Sequence, residues 1–106
     1  MYEVYALKCG ARQVPACRFL YREPSHEALV LHFYFWLILG GPQPLLIDTG
    51  FPAGEAQRRE VADYVAPTAL LAHLGIDASQ ITRAIISHLH WDHWAGHALF
   101  PAAELW

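Results

Sequence analysis

The sequence predicts a mixed α/β domain in which strands come before helices, and three observations support this fold class. Residues 2–7 and 29–39 are rich in the aromatic and branched side chains that favour strands. Residues 67–74 then place apolar side chains at helical spacing. A third apolar stretch, residues 81–87, leads into a loop crowded with histidines. Strands followed by a helix, a strand and a loop indicate a layered sheet with helices packed on it.

The composition is that of a globular domain with one core. The chain has 106 residues, of which 55% are hydrophobic and 16% are charged. This length suffices for a single small domain, and the apolar fraction is too high for a disordered segment. The seven Lys and Arg residues are scattered along the chain, so no basic stripe indicates a nucleic-acid partner.

Neither a membrane span nor a leader is expected. The longest apolar run, residues 28–39, is interrupted by His32 and is shorter than the about 20 residues that cross a bilayer. Residues 1–5 lack the basic and apolar regions of a signal peptide. Cys9 and Cys17 have no metal-type spacing, and we expect free thiols in a cytoplasmic protein, with one disulfide as the alternative.

The first half of the chain is predicted to form an opening strand and a hairpin. Residues 2–7 form the first strand, and residues 11–26, with two prolines and several charges, form a loop. Residues 29–39 are apolar enough for a strand buried on both faces. The Gly-Gly-Pro turn at 40–42 joins them to a short strand at 45–47, which predicts an antiparallel hairpin.

In the second half, helices alternate with strands. Pro67 suits the first position of a helix, Gly75 suits the position just past its end, and Asp77 is expected to cap a short turn. The predicted elements are a short helix at 55–64, a helix at 68–74, the turn at 78–80, a strand at 81–87, a helix at 94–100 and the start of a strand at 103–106. The chain stops among apolar residues, so we expect a fragment of a longer domain.

The most informative stretch is residues 87–93, which read Ser-His-Leu-His-Trp-Asp-His. Neutral imidazole and carboxylate are good ligands for zinc and similar ions. His88 and His90 are two positions apart, so an extended backbone points both side chains to one side, where they can share an ion. Asp92 and His93 are adjacent, and a loop turning into a helix can bring them to a second ion.

This spacing suggests two neighbouring metal ions. The stretch follows a predicted buried strand, and the carboxyl ends of such strands are where layered α/β folds build their sites. A solvated, histidine-rich turn without a ligand is the alternative.

Two sequence elements resemble the metallo-β-lactamase superfamily. Residues 88–93 resemble its H-x-H-x-D-H signature, and Asp-Thr-Gly at 48–50, after an apolar strand, resembles the D-T-G element upstream of it. Gly96 fits the small residue that usually follows the signature. The resemblance implies the N-terminal half of an αββα sandwich, with a mixed sheet and helices on one face.

The resemblance also implies roles for individual residues. His88 and His90 would bind a first Zn²⁺, and Asp92 and His93 a second. Asp92 would also be catalytic, accepting a proton and returning it to the leaving group. Asp48 would lie behind the ligands, near the metals, and the alternative is an ordinary turn carboxylate satisfied by backbone N–H groups.

Within the superfamily, the chain is most similar to N-acyl homoserine lactone lactonases. The similarity rests on residues 1–8, 35–38, 47–51 and 87–93. It implies a zinc-dependent hydrolase that opens the lactone ring of a small molecule, the reaction of quorum quenching. A glyoxalase II-like thioesterase or another metallohydrolase is the alternative within enzymes.

The family pattern also requires a histidine, an aspartate and a last histidine further along than this sequence reaches. We therefore expect activity from the full-length protein. The alternative of another class is a truncated fragment that binds metal weakly or not at all and catalyses nothing.

Other residues near the signature carry weaker indications. Trp91 and Trp94 are expected to pack beneath the loop or to form an apolar wall for the substrate. His97 falls outside the signature spacing and is interpreted as a surface or capping histidine, or as an edge of the site. The sequence assigns no substrate-binding residue and no oligomeric state.

Overall fold

The computed structural model describes the whole chain, residues 1–106, as one mixed five-stranded sheet with short helices. The strands lie side by side in chain order, from β1 to β5. The elements are β1 (Glu3–Pro15), β2 (Ala28–Leu39), β3 (Leu45–Ile47), α1 (Ala53–Arg58), α2 (Pro67–His73), β4 (Arg83–Ile85), α3 (Trp91–Trp94) and β5 (Glu104–Leu105), with 3₁₀ turns at Ala16–Arg18, Ala78–Gln80 and Ala95–Leu99. The predicted α/β fold class is confirmed.

β1 and β2 pair as a long antiparallel hairpin along their whole length. The predicted loop starting at Ala11 is wrong at its beginning, because β1 continues to Pro15. Polar residues such as Arg12 are admitted because their backbone groups pair with β2 whatever side chain they carry. Between Lys8 and Gly10 the register shifts, as it does at a β-bulge.

β2 is buried on one face only, which corrects the prediction of a strand buried on both faces. Phe33, Phe35 and Leu37 are buried, whereas Val30 and Tyr34 are 50% and 36% exposed. The reason is that the helices cover only one side of the sheet. The buried members of the core on that side are Cys9, Phe33, Phe35, Leu37, Leu46, Phe51, Ala56, Leu71, Ile81, Ala84 and Phe100.

Parallel pairing sets up the sheet edge on which the histidines lie. β3 runs parallel to β4, and β4 runs parallel to β5, whereas β2 and β3 form the predicted antiparallel hairpin. Ile47, the last residue of β3, pairs with Ile85, the last residue of β4. Asp48 and the segment after Ile85 therefore leave the sheet side by side.

The helix around residue 70 and the turn after it have the predicted start and stop signals. α2 begins at Pro67 and is followed by Gly75 in a left-handed conformation with a φ of 74°. The Asp77 carboxylate accepts the backbone N–H of Ser79 at 2.9 Å, and the Gln80 side chain accepts the backbone N–H of Asp77 at 2.7 Å. This reciprocal pair is a capping box.

Three predicted boundaries differ from the structure. α1 ends at Arg58 instead of continuing to residue 64, because Glu60 and Asp63 have left-handed backbones that no helix admits. α3 begins at Trp91, three residues before the predicted start. β4 spans only the centre of the predicted 81–87 strand.

Both cysteines are free, Cys9 in the core and Cys17 half-buried, in agreement with the expected free thiols. None of the helices has the length and hydrophobicity of a membrane span.

Candidate metal centre

The predicted ligands lie on one segment that leaves β4 and turns into α3. His90 is the last residue before the helix and has an extended backbone, with φ −66° and ψ 145°. Asp92 and His93 lie in the first turn of α3, which starts when the His93 N–H donates to the His90 carbonyl at 3.0 Å. The backbone is extended at His90 and helical from Trp91. His88 and His90, two positions apart, and the adjacent Asp92 and His93 can therefore belong to one site.

His88 and His90 form the first pair of candidate ligands. Nε2 of His88 lies 3.0 Å from Nδ1 of His90, and the ring centroids are 4.6 Å apart. Both residues are exposed. Their convergence on one side of an extended segment agrees with the spacing argument.

Asp92 and His93 form the second pair. Nε2 of His93 lies 3.1 Å from Oδ2 of Asp92, and each of these side chains is only 19% exposed. The ring centroids of His93 and His88 are 4.1 Å apart. The two pairs are therefore neighbours, and the structure brings all four predicted residues together.

Asp48 orients His93 of the second pair by contacting the ring nitrogen that does not face Asp92. Its side chain is fully buried, and its backbone is left-handed with a φ of 63°. Oδ2 of Asp48 lies 2.7 Å from Nδ1 of His93. A carboxylate that accepts the Nδ1 proton fixes the imidazole tautomer and leaves the Nε2 lone pair directed towards Asp92.

Ser87 extends this arrangement to the first pair, a role that the sequence analysis did not identify. Its hydroxyl donates to Oδ2 of Asp48 at 2.8 Å, and its backbone N–H donates to Oδ1 at 2.7 Å. Since the hydroxyl proton is used, the oxygen accepts the proton of His88 Nδ1, 2.9 Å away. His88 is then also held in the tautomer whose Nε2 carries a lone pair.

The donor atoms suit a cation such as Zn²⁺ in kind and in pairwise spacing. Two atoms able to bind a cation lie 3.1 Å apart in one pair and 3.0 Å apart in the other. Two ligands of a tetrahedral zinc ion with bonds of about 2.0–2.1 Å lie about 3.3 Å apart. No group of three or more His, Cys, Asp or Glu side chains is arranged to hold one ion. Each pair thus offers about half of the four ligands that zinc takes.

The D-T-G segment is attached to α3 and to the 3₁₀ turn after it by hydrogen bonds to backbone groups. The backbone N–H and the hydroxyl of Thr49 both donate to the His93 carbonyl, at 2.8 and 3.1 Å. The Gly96 N–H donates to the Gly50 carbonyl at 2.9 Å, and a Cβ on Gly96 would lie only 2.3 Å from the Thr49 carbonyl oxygen. Gly96 is therefore required for this close approach.

Trp91 supports the site from the core side and also borders it. Its ring packs on Phe33 and Phe51, with centroids 5.1 and 4.8 Å apart, and the Arg59 guanidinium lies 4.3 Å from its centroid. The same ring lines a cavity beside His90. Both interpretations of Trp91, packing beneath the loop and forming an apolar wall, agree with this position.

His97 lies apart from the four candidate ligands. Its ring stacks on Trp94 with centroids 4.7 Å apart, and its Nδ1 lies 3.1 Å from the Trp94 carbonyl oxygen. Neither contact involves a candidate ligand, in agreement with a histidine outside the site. A second cavity of about 440 Å³ lies on the uncovered face of the sheet, near Pro42 and Leu45, and contains none of the candidate ligands.

The protein is an α/β domain, with a mixed sheet and helices on one face. Its candidate metal centre is the segment rich in His and Asp at the carboxyl end of a parallel strand. The chain belongs to the metallo-beta-lactamase superfamily, whose sequence profile matches residues 34–104. The matched region includes both the D-T-G element and the histidine signature. The predicted family resemblance is confirmed. Comparison with curated protein sequences gives no match.

Solved structures with the same fold include several hydrolases. One is an N-acyl homoserine lactone hydrolase with N-hexanoyl-L-homoserine at its catalytic metal centre, with a TM-score of 0.81, 19% identity, and coverage of 96% of this chain and 46% of that one. Another is AidC, a dizinc quorum-quenching lactonase, with a TM-score of 0.76, 19% identity, and coverage of 98% and 40%. A probable metal-dependent hydrolase from Staphylococcus aureus gives a TM-score of 0.79, 19% identity, and coverage of 98% and 46%.

These likenesses concern the fold. The chain spans less than half the length of the solved structures that it matches.

Proposed function

We propose that this chain supplies four ligands of a two-zinc centre in a hydrolase that opens the lactone ring of N-acyl homoserine lactones. The observation that carries the proposal is that the two candidate ligand pairs are neighbours at one sheet edge. His88 contacts His90, Asp92 contacts His93, and the rings of His88 and His93 lie against each other. In each pair the tautomer of one imidazole is set, His93 by the buried Asp48 and His88 through Ser87, in the form that leaves Nε2 free to bind a cation.

We propose a lactone as the substrate because proteins with a similar structure hydrolyse lactones. Two of the structurally similar proteins are lactone hydrolases, and one of these is described as dizinc. Opening a lactone also suits a single site, because the alcohol that leaves stays tethered to the acid that forms.

In this proposal each residue has a stated task. His88 and His90 hold one ion, and Asp92 and His93 hold the other. Bound zinc would supply an activated water near neutral pH and would polarise the substrate carbonyl. The Asp92 carboxylate accepts a proton from the attacking water and returns it to the leaving alkoxide. Asp48 keeps the His93 ring fixed while this happens.

The proposal places activity in a longer protein than these 106 residues. Each candidate pair offers two side chains, whereas zinc takes about four ligands. The remaining ligands then come from protein outside this sequence. The absence of any group of three ligands favours one competing interpretation, in which the chain alone is an inactive fragment.

Metal analysis together with three substrates tests the proposal. We expect the full-length protein to contain about two zinc ions and to hydrolyse N-hexanoyl-L-homoserine lactone faster than a thioester or a β-lactam. Preference for the thioester would select the thioesterase alternative. Activity that survives complete metal removal would reject the mechanism.

Two substitutions sharpen the test. Asp92→Asn should lower kcat by about 100-fold or more, because the carboxamide cannot carry the proton. His73→Ala is the matched control, since His73 is an exposed histidine on α2 and its loss should change neither zinc content nor kcat. Full turnover by Asp92→Asn would show that the role given to Asp92 is wrong.

A further inference from the structure

A cavity of about 460 Å³ opens beside His90 and Asp92, and its size is that of a site for a small organic ligand. Its other lining side chains are Arg12, Phe19, Leu31, Phe33 and Trp91. Four of these five are apolar and one is a cation, so the cavity is amphipathic.

The bulge in β1 is what turns Arg12 into this cavity. Without it, the alternation of side chains along a strand would put Arg12 on the uncovered face of the sheet, with Lys8. The extra residue, Cys9, shifts the register so that Arg12 pairs with Leu31 and shares a face with Phe33. Bulges commonly re-aim a side chain in this way near a site.

Arg12 has no protein partner in the cavity. It is half-buried, yet its guanidinium forms no ion pair and no side-chain hydrogen bond with the rest of the chain, unlike Arg58 and Arg59, which share Glu55. A guanidinium offers five N–H donors and no acceptor. On the wall of an apolar cavity it favours an oxygen atom that arrives with the ligand.

We propose that this cavity binds the acyl arm of a neutral substrate and that Arg12 donates to a carbonyl oxygen on that arm. The proposal rests on the proposed function, because the scissile ester would then lie at His90 and Asp92. The apolar walls favour a hydrocarbon chain. His90 and Asp92 line the same cavity, so an arm held there lies next to the candidate ligands.

A carbonyl oxygen accepts from the guanidinium without bringing a further charge into a mostly apolar cavity. Arg12 is therefore a specificity-determining residue. It selects substrates whose acyl arm carries an amide carbonyl over alkyl lactones of the same length.

Binding of N-cyclopentylhexanamide to the purified protein, measured by titration calorimetry, tests this role. This probe has an acyl chain, an amide carbonyl and a five-membered ring but no ester to hydrolyse. Arg12→Met keeps the apolar stem and removes the donors, so its affinity should fall about 10- to 100-fold. Arg12→Lys keeps a charged donor and should lose less. Lys8→Met, an exposed position on the same strand before the bulge, should bind like the wild type.

Equal affinity of Arg12→Met and the wild type would overturn the inference, and so would absence of binding to the wild type. Circular dichroism checks that each variant is folded, and Arg12→Leu, which also lacks donors, replaces Arg12→Met if the latter is not. Because the amide is not a substrate, the two proposals fail separately. Binding that depends on Arg12 in a protein that hydrolyses no lactone rejects the hydrolase alone. If the protein hydrolyses the lactone but binds the amide equally well with and without the Arg12 guanidinium, only the cavity assignment is rejected.

Discussion

Oδ2 of Asp48 lies 2.7 Å from Nδ1 of His93, although 45 positions separate the two residues in the chain. The contact exists because β3 and β4 are parallel neighbours, so the residue that follows β3 meets the segment that follows β4 at one edge of the sheet. Through Ser87 the same carboxylate reaches His88. One buried carboxylate thus orients one imidazole from each candidate pair.

Replacing that carboxylate should weaken metal binding without removing a ligand. In Asp48→Asn the NH2 group would face donors in either orientation: the Ser87 hydroxyl and His93 in place of Oδ2, or the Ser87 backbone N–H in place of Oδ1. We expect zinc affinity to fall about 10- to 100-fold, measured by competition with a chromophoric chelator. Asp63→Asn is the control, because Asp63 is also left-handed but exposed. An Asp48→Asn protein that binds zinc as tightly as Asp63→Asn would contradict the orienting role.

Removing the Ser87 hydroxyl should affect the first pair selectively. Ser87→Ala leaves Nδ1 of His88 without its acceptor, so the His88 ring loses its preference for the tautomer with a free Nε2. Nitrogen NMR shifts should show a mixture of tautomers at His88 and an unchanged His93. Zinc affinity should fall about tenfold. Ser87→Thr restores the hydroxyl and should recover both, and a Thr variant as weak as Ala would point to packing instead.

The candidate ligands could be predicted from the sequence because they are local. His88, His90, Asp92 and His93 lie within six positions, and the change from extended to helical backbone needed to bring them together begins within the same segment. The approach of Asp48 could be expected only through the family resemblance. Its physical cause is the parallel pairing of two strands, which no local pattern specifies.

The position of Arg12 could not be predicted from local pattern, because it depends on the bulge. Gly10 allows the bulged strand to approach a distant segment so closely that a Cβ there would lie 2.5 Å from Cγ1 of Val61. The prediction that β2 is buried on both faces is wrong for a similar reason. Phe35 and Tyr34 have similar hydrophobic rings, and only the position of the helices decides which of them is covered.

Gly96→Ala should destabilise the protein strongly. The added Cβ would lie 2.3 Å from the Thr49 carbonyl oxygen, a backbone atom that cannot swing aside. We expect the free energy of unfolding to drop by about 3 kcal/mol in urea denaturation. Gly54→Ala is the matched control, because nothing lies within 4 Å of its Cβ position in α1. That variant should gain about 0.5–1 kcal/mol, and equal effects of the two would show that the D-T-G contact is loose.

The buried thiol of Cys9 should make the fold sensitive to alkali. Burial, with a smaller contribution from the charge of Asp92, raises the Cys9 pKa from 9.0 to about 12. Between these values the unfolded chain releases a proton that the folded chain keeps, so stability is complete below about pH 9 and is lost as the pH rises towards 12. Urea denaturation at pH 10.5 should give an unfolding free energy about 2 kcal/mol below that at pH 8.

Burial also raises the pKa of Tyr64, which acts in the same direction. Cys9→Ala should therefore reduce the loss without abolishing it, while Cys17→Ala, which removes a half-buried thiol, should leave it unchanged. An alkaline loss of the same size in Cys9→Ala and Cys17→Ala would show that the Cys9 thiol is not its source.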